Sequence, residues 1–342
     1  MSRLGLIWVA ALGATACSSE IVEISATTQA DMQHQGTQLQ GTQLQGTQLQ
    51  GMSMQGFQFA GATLQGLPLV NLRVEQGQLV AEQNQVTLQG TSLAGAHLYA
   101  QVQNLTASPP VTALVEYRIT NVVAEDSQYD PTYTGSTFLY MLEQNVDHSD
   151  SWQPACPVDS DGLRVAIPLA ATWDETGARI ESNSLFTFGC TTGVIAKCYR
   201  WGYRPWATGY GDLGAMHWTC TRLARADYCG NGTSHTQDGT AIDVWDNLPS
   251  PGPIQQRDSG LLQGIIDFEA GWSTRGAVCL SHARWINGGT LIAQACPDRL
   301  IPPILLLGGL LGGTVCDVES EVLGDGSNPR MFDATNLHVN LF

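Results

Sequence analysis

Beyond Ser108-Pro109-Pro110 the chain falls into short apolar runs bounded by Gly, Pro, Asp or Asn: VTALVEYRITNV, STFLYMLEQNV, LRVAIPLAATW and SLFTFGC. Each is rich in β-branched and aromatic residues, which suit a pleated, half-buried surface, so together they predict an antiparallel sheet. Earlier, NLRVEQGQLVA at 71–81 places apolar residues on either side of Gln76-Gly77 and predicts a hairpin. Between Gly214 and Cys229 the period lengthens. Met216, Cys220, Leu223 and Asp227 then share one helical face, Trp218, Arg222, Arg225 and Cys229 share the other, and Gly230 follows as a stop. On such a helix Cys220 and Cys229 stand about 13 Å apart along the axis. That is too far for a disulfide, so each is expected to staple the helix to a different neighbour.

A third period precedes these. From Gly36 to Gln65 the chain reads GTQLQ GTQLQ GTQLQ GMSMQ GFQFA GATLQ, with looser units VTLQG TSLAG AHLYA over 86–100. Five matches neither helix nor strand and marks a repeat. It resembles the pentapeptide-repeat family, whose right-handed β-helix turns a central Leu or Phe inward, here Leu39, Leu44, Leu49, Met54, Phe59 and Leu64. Met52 and Phe57, at the position that the family gives to a small residue, depart from that pattern, and a flexible Gly/Gln/Thr spacer is the other reading. The expected organisation is a leader at 1–16, a tether at 17–35, a repeat segment with hairpin at 36–107, and a disulfide-rich domain at 108–342. The fold class is mainly β with a central helix (α+β).

The leader changes the picture most. Arg3, the apolar run Leu4–Ala14 and the small residues before Cys17 make an export signal, too short for a permanent span. Ala14-Thr15-Ala16 suits ordinary cleavage, while Cys17 at the +1 position resembles a bacterial lipobox. Nine cysteines occur. With Cys17 lipidated, Cys156, Cys190, Cys198, Cys220, Cys229, Cys279, Cys296 and Cys316 remain, an even set suited to complete pairing in an oxidising compartment. The expected location is the outer membrane or cell surface, with soluble periplasmic or secreted protein as the alternative. The membrane is then reached through the lipid, and an envelope glycan or protein is the expected partner. Fifteen Lys and Arg against 31 Asp and Glu give a formal charge of −16, which repels nucleic acid.

Candidate chemistry is sparse. The polar residues singled out are Asp227, Arg200, Arg204, His217, His235, Asp238, Asp243 and Asp246. Asp227, buried on its helix face, needs a partner, with Arg200 or Arg204 as candidates or a loop to cap. Asn231, Asp238, Asp243 and Asp246 offer oxygens for calcium but miss the EF-hand spacing, and turn chemistry explains the same residues. No zinc spacing joins the histidines, so no metal or cofactor is expected. Ser234, His282 and Asp243 form a triad only on paper, since no GxSxG marks a serine. Trp201, Trp206, Trp218, Trp245, Trp272 and Trp285 suit either a sugar-stacking row or a core. The stretch Leu300–Gly313 is apolar but holds two prolines and four glycines, and its flanking Cys296 and Cys316 are one candidate pair.

The words CYRWGYRPW at 198–206, HWTCTRLARADYC at 217–229, DGTAIDVWD at 238–246, FEAGWSTRGAVC at 268–279 and HARW at 282–285 resemble the bacterial ADYC-domain family over roughly 110–300. The resemblance implies a domain and no particular chemistry. A binding or structural role at the cell surface is therefore the expectation. A secreted hydrolase of envelope polymers, or a calcium-stabilised glycan-binding module, is the alternative.

Overall fold

The computed structural model describes residues 37–39, 57–104, 111–125, 137–145, 151–159, 161–174, 176–182, 184–236, 240–249, 251–257, 267–284, 292, 294–296 and 331–335. The leader, Cys17, the tether, most of the early repeats, Asp238, Trp285, the stretch 300–313 and Cys316 lie outside the described residues.

The first layer is a curled antiparallel sheet. It is built from β2 (Phe57–Leu64), β3 (Leu67–Glu75), β4 (Gln78–Gln83), β5 (Val86–Gln89), β6 (His97–Asn104), β7 (Val111–Ala124), β8 (Phe138–Asn145), β10 (Val165–Leu169) and β13 (Thr187–Cys190). Their order is β13-β10-β8-β7-β6-β2-β3-β4-β5, and the short β9 (Gln153–Pro154) pairs with β8. β1 (Thr37–Leu39) belongs elsewhere, and β11 (Ala171–Trp173) and β12 (Arg179–Glu181) form a separate ribbon. The expected hairpin is β3–β4. Gln76 and Gly77 both take positive φ, 49° and 72°, as its two-residue turn requires.

The sheet runs straight through the Ser108-Pro109-Pro110 break. β6 and β7 pair from His97↔Arg118 to Asn104↔Val111, so strands before and after residue 108 share one sheet. The looser repeat units take no β-helical coil among the described residues. They form β5, a 3-10 turn at Gly90–Leu93 and β6, because β4 pairs with β5 and β2 and β7 flank β6 as antiparallel partners for their backbones. Of the earlier units, Phe57–Leu64 is a strand of the same sheet.

Alternation then builds a core inside the curl. Leu98 and Ala100 of β6, Val115, Tyr117 and Ile119 of β7, and Leu142 of β8 point inward. There they meet Leu79 of β4 and Phe188 of β13. The ends of the sheet approach each other: Tyr140 accepts a 2.9 Å hydrogen bond from the Leu79 backbone N–H, and Phe59 stacks on Phe186 with centroids 3.6 Å apart.

At the other end the outer face of this sheet is covered. Leu139, Val165, Ile167 and Leu169 pack against α1 (Val194–Arg200) and α2 (Leu213–Arg225). The helices in turn pack on a second sheet, ordered β1-β14-β17-β15-β16, from β14 (Thr240–Asp246), β17 (Met331–Thr335), β15 (Asp267–Ser273) and β16 (Gly276–Leu280). The protein is thus mainly β, with a helical layer between two antiparallel sheets. α2 is the expected helix, displaced: Asp212 caps its start by accepting from Ala215 N–H at 3.0 Å, and it ends at Arg225, four residues before Cys229. α1 had no periodic signal in its seven residues.

Three disulfides between described residues brace the fold. Cys156–Cys190 links the β9 region to β13, Cys198–Cys220 links α1 to α2, and Cys229–Cys296 fastens the segment just past α2, with Cα separations of 5.6, 5.9 and 5.6 Å. Cys279 is disulfide-bonded as well. Cys220 and Cys229 have different partners, as expected. Cys296 does not close the apolar stretch with Cys316, since its sulfur is already bound to Cys229. The two halves also meet at one tight contact. Trp206, stacked on Tyr199 with centroids 5.2 Å apart, lies over Gly77 in the hairpin turn, where any Cβ would sit 2.6 Å from the indole ring.

Candidate functional site

The tetrapeptide Ala226-Asp227-Tyr228-Cys229 sits at the C-terminus of α2, and each residue there has a separate physical task. A helix end leaves its last carbonyls without partners. Ala226 turns the chain by adopting the left-handed conformation at φ 51° and ψ 44°. Its N–H donates to Leu223 O and the Asp227 N–H to Arg222 O, both at 2.9 Å, the Schellman pattern. Asp227, fully buried, pairs with Arg222 and accepts from the N–H groups of Asn231 at 3.1 Å and Gly232 at 2.9 Å. It therefore shapes the Gly230-Asn231-Gly232 loop.

Tyr228 reaches a buried charge cluster. Its hydroxyl donates to Glu269 Oε1 at 2.7 Å and accepts from the Arg284 backbone N–H at 2.8 Å. Arg284, with no exposed surface, donates to Glu269 at 3.0 Å, to Asp333 at 2.7 Å, to Thr236 Oγ1 at 3.0 Å and to the Leu223 carbonyl at 3.1 Å. One guanidinium thus joins β15, β17 and the C-terminal carbonyls of α2, where its charge also suits the helix dipole. Thr335 donates to Glu269 at 2.8 Å and Trp272 Nε1–H to Asp333 at 2.8 Å. Burial, then the neighbouring Glu269 carboxylate, push the Asp333 carboxyl well above the usual carboxylate range. Burial likewise raises the Tyr228 hydroxyl well above its ordinary value.

The turn also presses backbone on backbone. Gly230 and Gly276, at φ +66° and +100°, face each other's chains: a Cβ on Gly276 would lie 2.7 Å from Gly230 N and 2.9 Å from Asp227 O. A Cβ on Gly230 would overlap the Arg275 carbonyl. No side chain fits between them, and the Ala277 N–H donates to Tyr228 O at 3.1 Å across this seam.

The residues expected to form a polar site are dispersed. Asp227 takes Arg222 as its partner, not Arg200 or Arg204, because the chain has already left the helix and turns back on the last turn of α2. Arg200 pairs with Glu125 at 3.0 Å and Asp161 at 3.5 Å. Arg204 is buried apart from this turn, in the segment after α1. His235 donates from Nδ1 to Ala226 O at 3.0 Å, a further helix cap.

Asp246 accepts from Tyr203 Oη, Leu248 N and Gln255 N at 2.8–3.0 Å, and burial raises its pKa. Asp243, three residues away on the same strand, faces the opposite side. Asn231 accepts from Thr233 N. Asp246 is therefore held by protein donors and Asp243 is turned away from it, and among the described residues no group of three or more His, Cys, Asp or Glu converges on a metal position. Ser234 donates to Arg225 O and His282 contacts Thr335, so the paper triad does not assemble. Trp245 and Trp272 are core residues, and Trp201 and Trp206 are half-buried against the same core. A surface depression of about 290 Å³ lies elsewhere, lined by Gln144, Pro154, Arg164 and the Cys156–Cys190 bridge.

His217 is fully buried on α2, beneath Tyr199 and Trp173, and donates from Nε2 to Ile195 O at 3.0 Å. Burial, then Arg179, hold its pKa well below the ordinary histidine value. The folded protein keeps it neutral while the unfolded chain protonates it near pH 6.5. Its contribution is therefore complete above that pH and is lost as pH falls below it, at up to about 1.4 kcal/mol per unit. Urea midpoints between pH 7.5 and 5.0 should fall more steeply for the wild type than for His217→Gln; parallel curves would refute this.

Sequence reasoning missed Glu269, Arg284, Asp333 and Thr335. The first two stand inside the words FEAGW and HARW, whose recurrence beside ADYC was the available signal. Asp333 and Thr335 lie in MFDAT, outside every motif. Comparison with curated proteins and with solved structures finds no match. A family model, the ADYC domain, matches residues 90–286, spanning β6 through the buried Arg284 and covering more than half of the sequence. With the tetrapeptide, its turn, Glu269 and Arg284 all inside that match, the chain belongs to the ADYC-domain family.

Proposed function

We propose that this is an exported, lipid-anchored envelope protein whose ADYC domain is a rigid module with a binding or structural role at the cell surface. The observation that carries the reading is the set of disulfides, which brace the curled sheet, join the two helices to each other and fasten the segment after α2. Such bridges belong to oxidising compartments. The leader before Cys17 supplies the export route, and among the described residues no helix is long and apolar enough to cross a membrane, which is consistent with attachment through lipid. The motif side chains point inward and hold the end of α2 to the second sheet, which supports a scaffold rather than a reaction centre. Mass spectrometry of the mature N-terminus tests the anchor. A diacylglyceryl-modified Cys17 is expected, and an unmodified Cys17 thiol, or a mature chain that begins elsewhere, overturns it.

A further inference from the structure

The outer face of the curled sheet is covered by the helices only at one end. Along β8, Leu139 and Met141 pack against the helical layer, whereas Glu143, two residues on, does not; along β7, Val123 is covered while Arg118, Glu116 and Leu114 are not. The open part is organised rather than randomly polar. Tyr99 of β6 hydrogen-bonds with Thr63 of β2 and Glu116 of β7. His97 Nδ1 lies 2.8 Å from Glu116 Oε1. The His97 ring meets Trp152 edge-on, with centroids 5.7 Å apart at 90°. Arg118 lies over the indole at 4.6 Å from its centroid and pairs with Glu143 of β8. One ribbon of hydrogen bonds and ring contacts therefore crosses β2, β6, β7 and β8, about 14 Å at the spacing of neighbouring strands.

We propose that this ribbon is a binding platform for a neutral oligosaccharide, a proposal that rests on the surface-module reading and names its ligand. Arg118 holds the indole upright from one side, and the half-exposed remainder of Trp152 offers an aromatic surface to the C–H face of a sugar ring. Side chains of Glu116, Glu143, Arg118 and His97, 19%, 27%, 38% and 37% exposed, supply fixed acceptors and donors around it for hydroxyl groups. Within the ribbon the Arg118 guanidinium is already paired with Glu143. With a chain charge of −16, a polyanionic polymer is disfavoured and an uncharged polyol fits. The site differs from the row of tryptophans that the motif region suggested, of which Trp245 and Trp272 lie in the core and Trp201 and Trp206 pack against it.

The test titrates chitotriose, cellotriose and maltotriose separately into the purified full-length mature chain, followed by saturation-transfer NMR and calorimetry. Binding of at least one trisaccharide is expected, with Trp152→Ala weakening it at least tenfold and Glu116→Gln several-fold while thermal melting is unchanged. Trp152→Phe, which keeps a ring, retains most of the affinity and covers the case in which Trp152→Ala perturbs the fold. Silence of all three sugars, or equal binding by Trp152→Ala, Trp152→Phe and wild type, overturns the platform. Because the assay is indifferent to acylation, an unmodified Cys17 with intact sugar binding would sink the anchor alone, and an acylated Cys17 without binding would sink the platform alone.

Discussion

Arg284→Ala is expected to destabilise the domain by about 3–5 kcal/mol, the range for removing one partner of a buried ion pair. The substitution would leave Glu269 and Asp333 facing each other without a cation, strip donors from Thr236 and the last carbonyls of α2, and open a cavity between the second sheet and the end of α2. For a domain of this size that corresponds to a melting temperature lower by about 10 °C or more. Near-ultraviolet circular dichroism during heating measures it. The same cluster predicts non-additivity: Asp333→Ala should cost less in the Arg284→Ala background than in the wild type, because its partner is already gone. Additive losses would mean that the three charges are not one unit.

Reduction is the second large effect. The bridges close chain separations of 34, 22 and 67 residues, each contributing about 3–4.5 kcal/mol in the chain-entropy account. Their combined removal is comparable with the whole stability of an ordinary domain. Protein unfolded and reduced, then returned to buffer with reductant, should fail to regain its near-ultraviolet signal, whereas the unreduced control regains it. Of single replacements, paired Cys229→Ala and Cys296→Ala should cost most, since that bridge closes the longest loop. Full recovery under reductant would show that packing alone suffices.

Local patterns carried much of the fold. Gln76-Gly77 announced its hairpin because a two-residue turn needs positive φ, and the run that becomes β7 alternates as a half-buried strand must, whereas β10 and β13, covered on both faces, are buried throughout. α2 was legible on its Met216, Cys220 and Leu223 face. Its end was misplaced because the chain breaks at Ala226, a residue with no special tolerance for left-handed backbone, ahead of the obvious Gly230. Asp227 is buried, as its position suggested, but in the turn past the helix and with Arg222 five residues back. The period of five in 57–64 and 86–100 concealed strands, since a repeated Leu can serve an antiparallel meander as readily as a coil. The Arg284–Asp333 pair was beyond reach: it joins residues 49 apart, and nothing local to MFDAT marks a central strand as one that receives a buried cation.

The most direct measurement is a peptide map of the unreduced mature protein by mass spectrometry. The account predicts cross-linked peptides containing Cys156 with Cys190, Cys198 with Cys220, and Cys229 with Cys296. Free thiols at Cys229 and Cys296, or a Cys220–Cys229 bridge, would contradict it, because the turn after α2 could not then be held where Tyr228 meets Glu269 and Arg284.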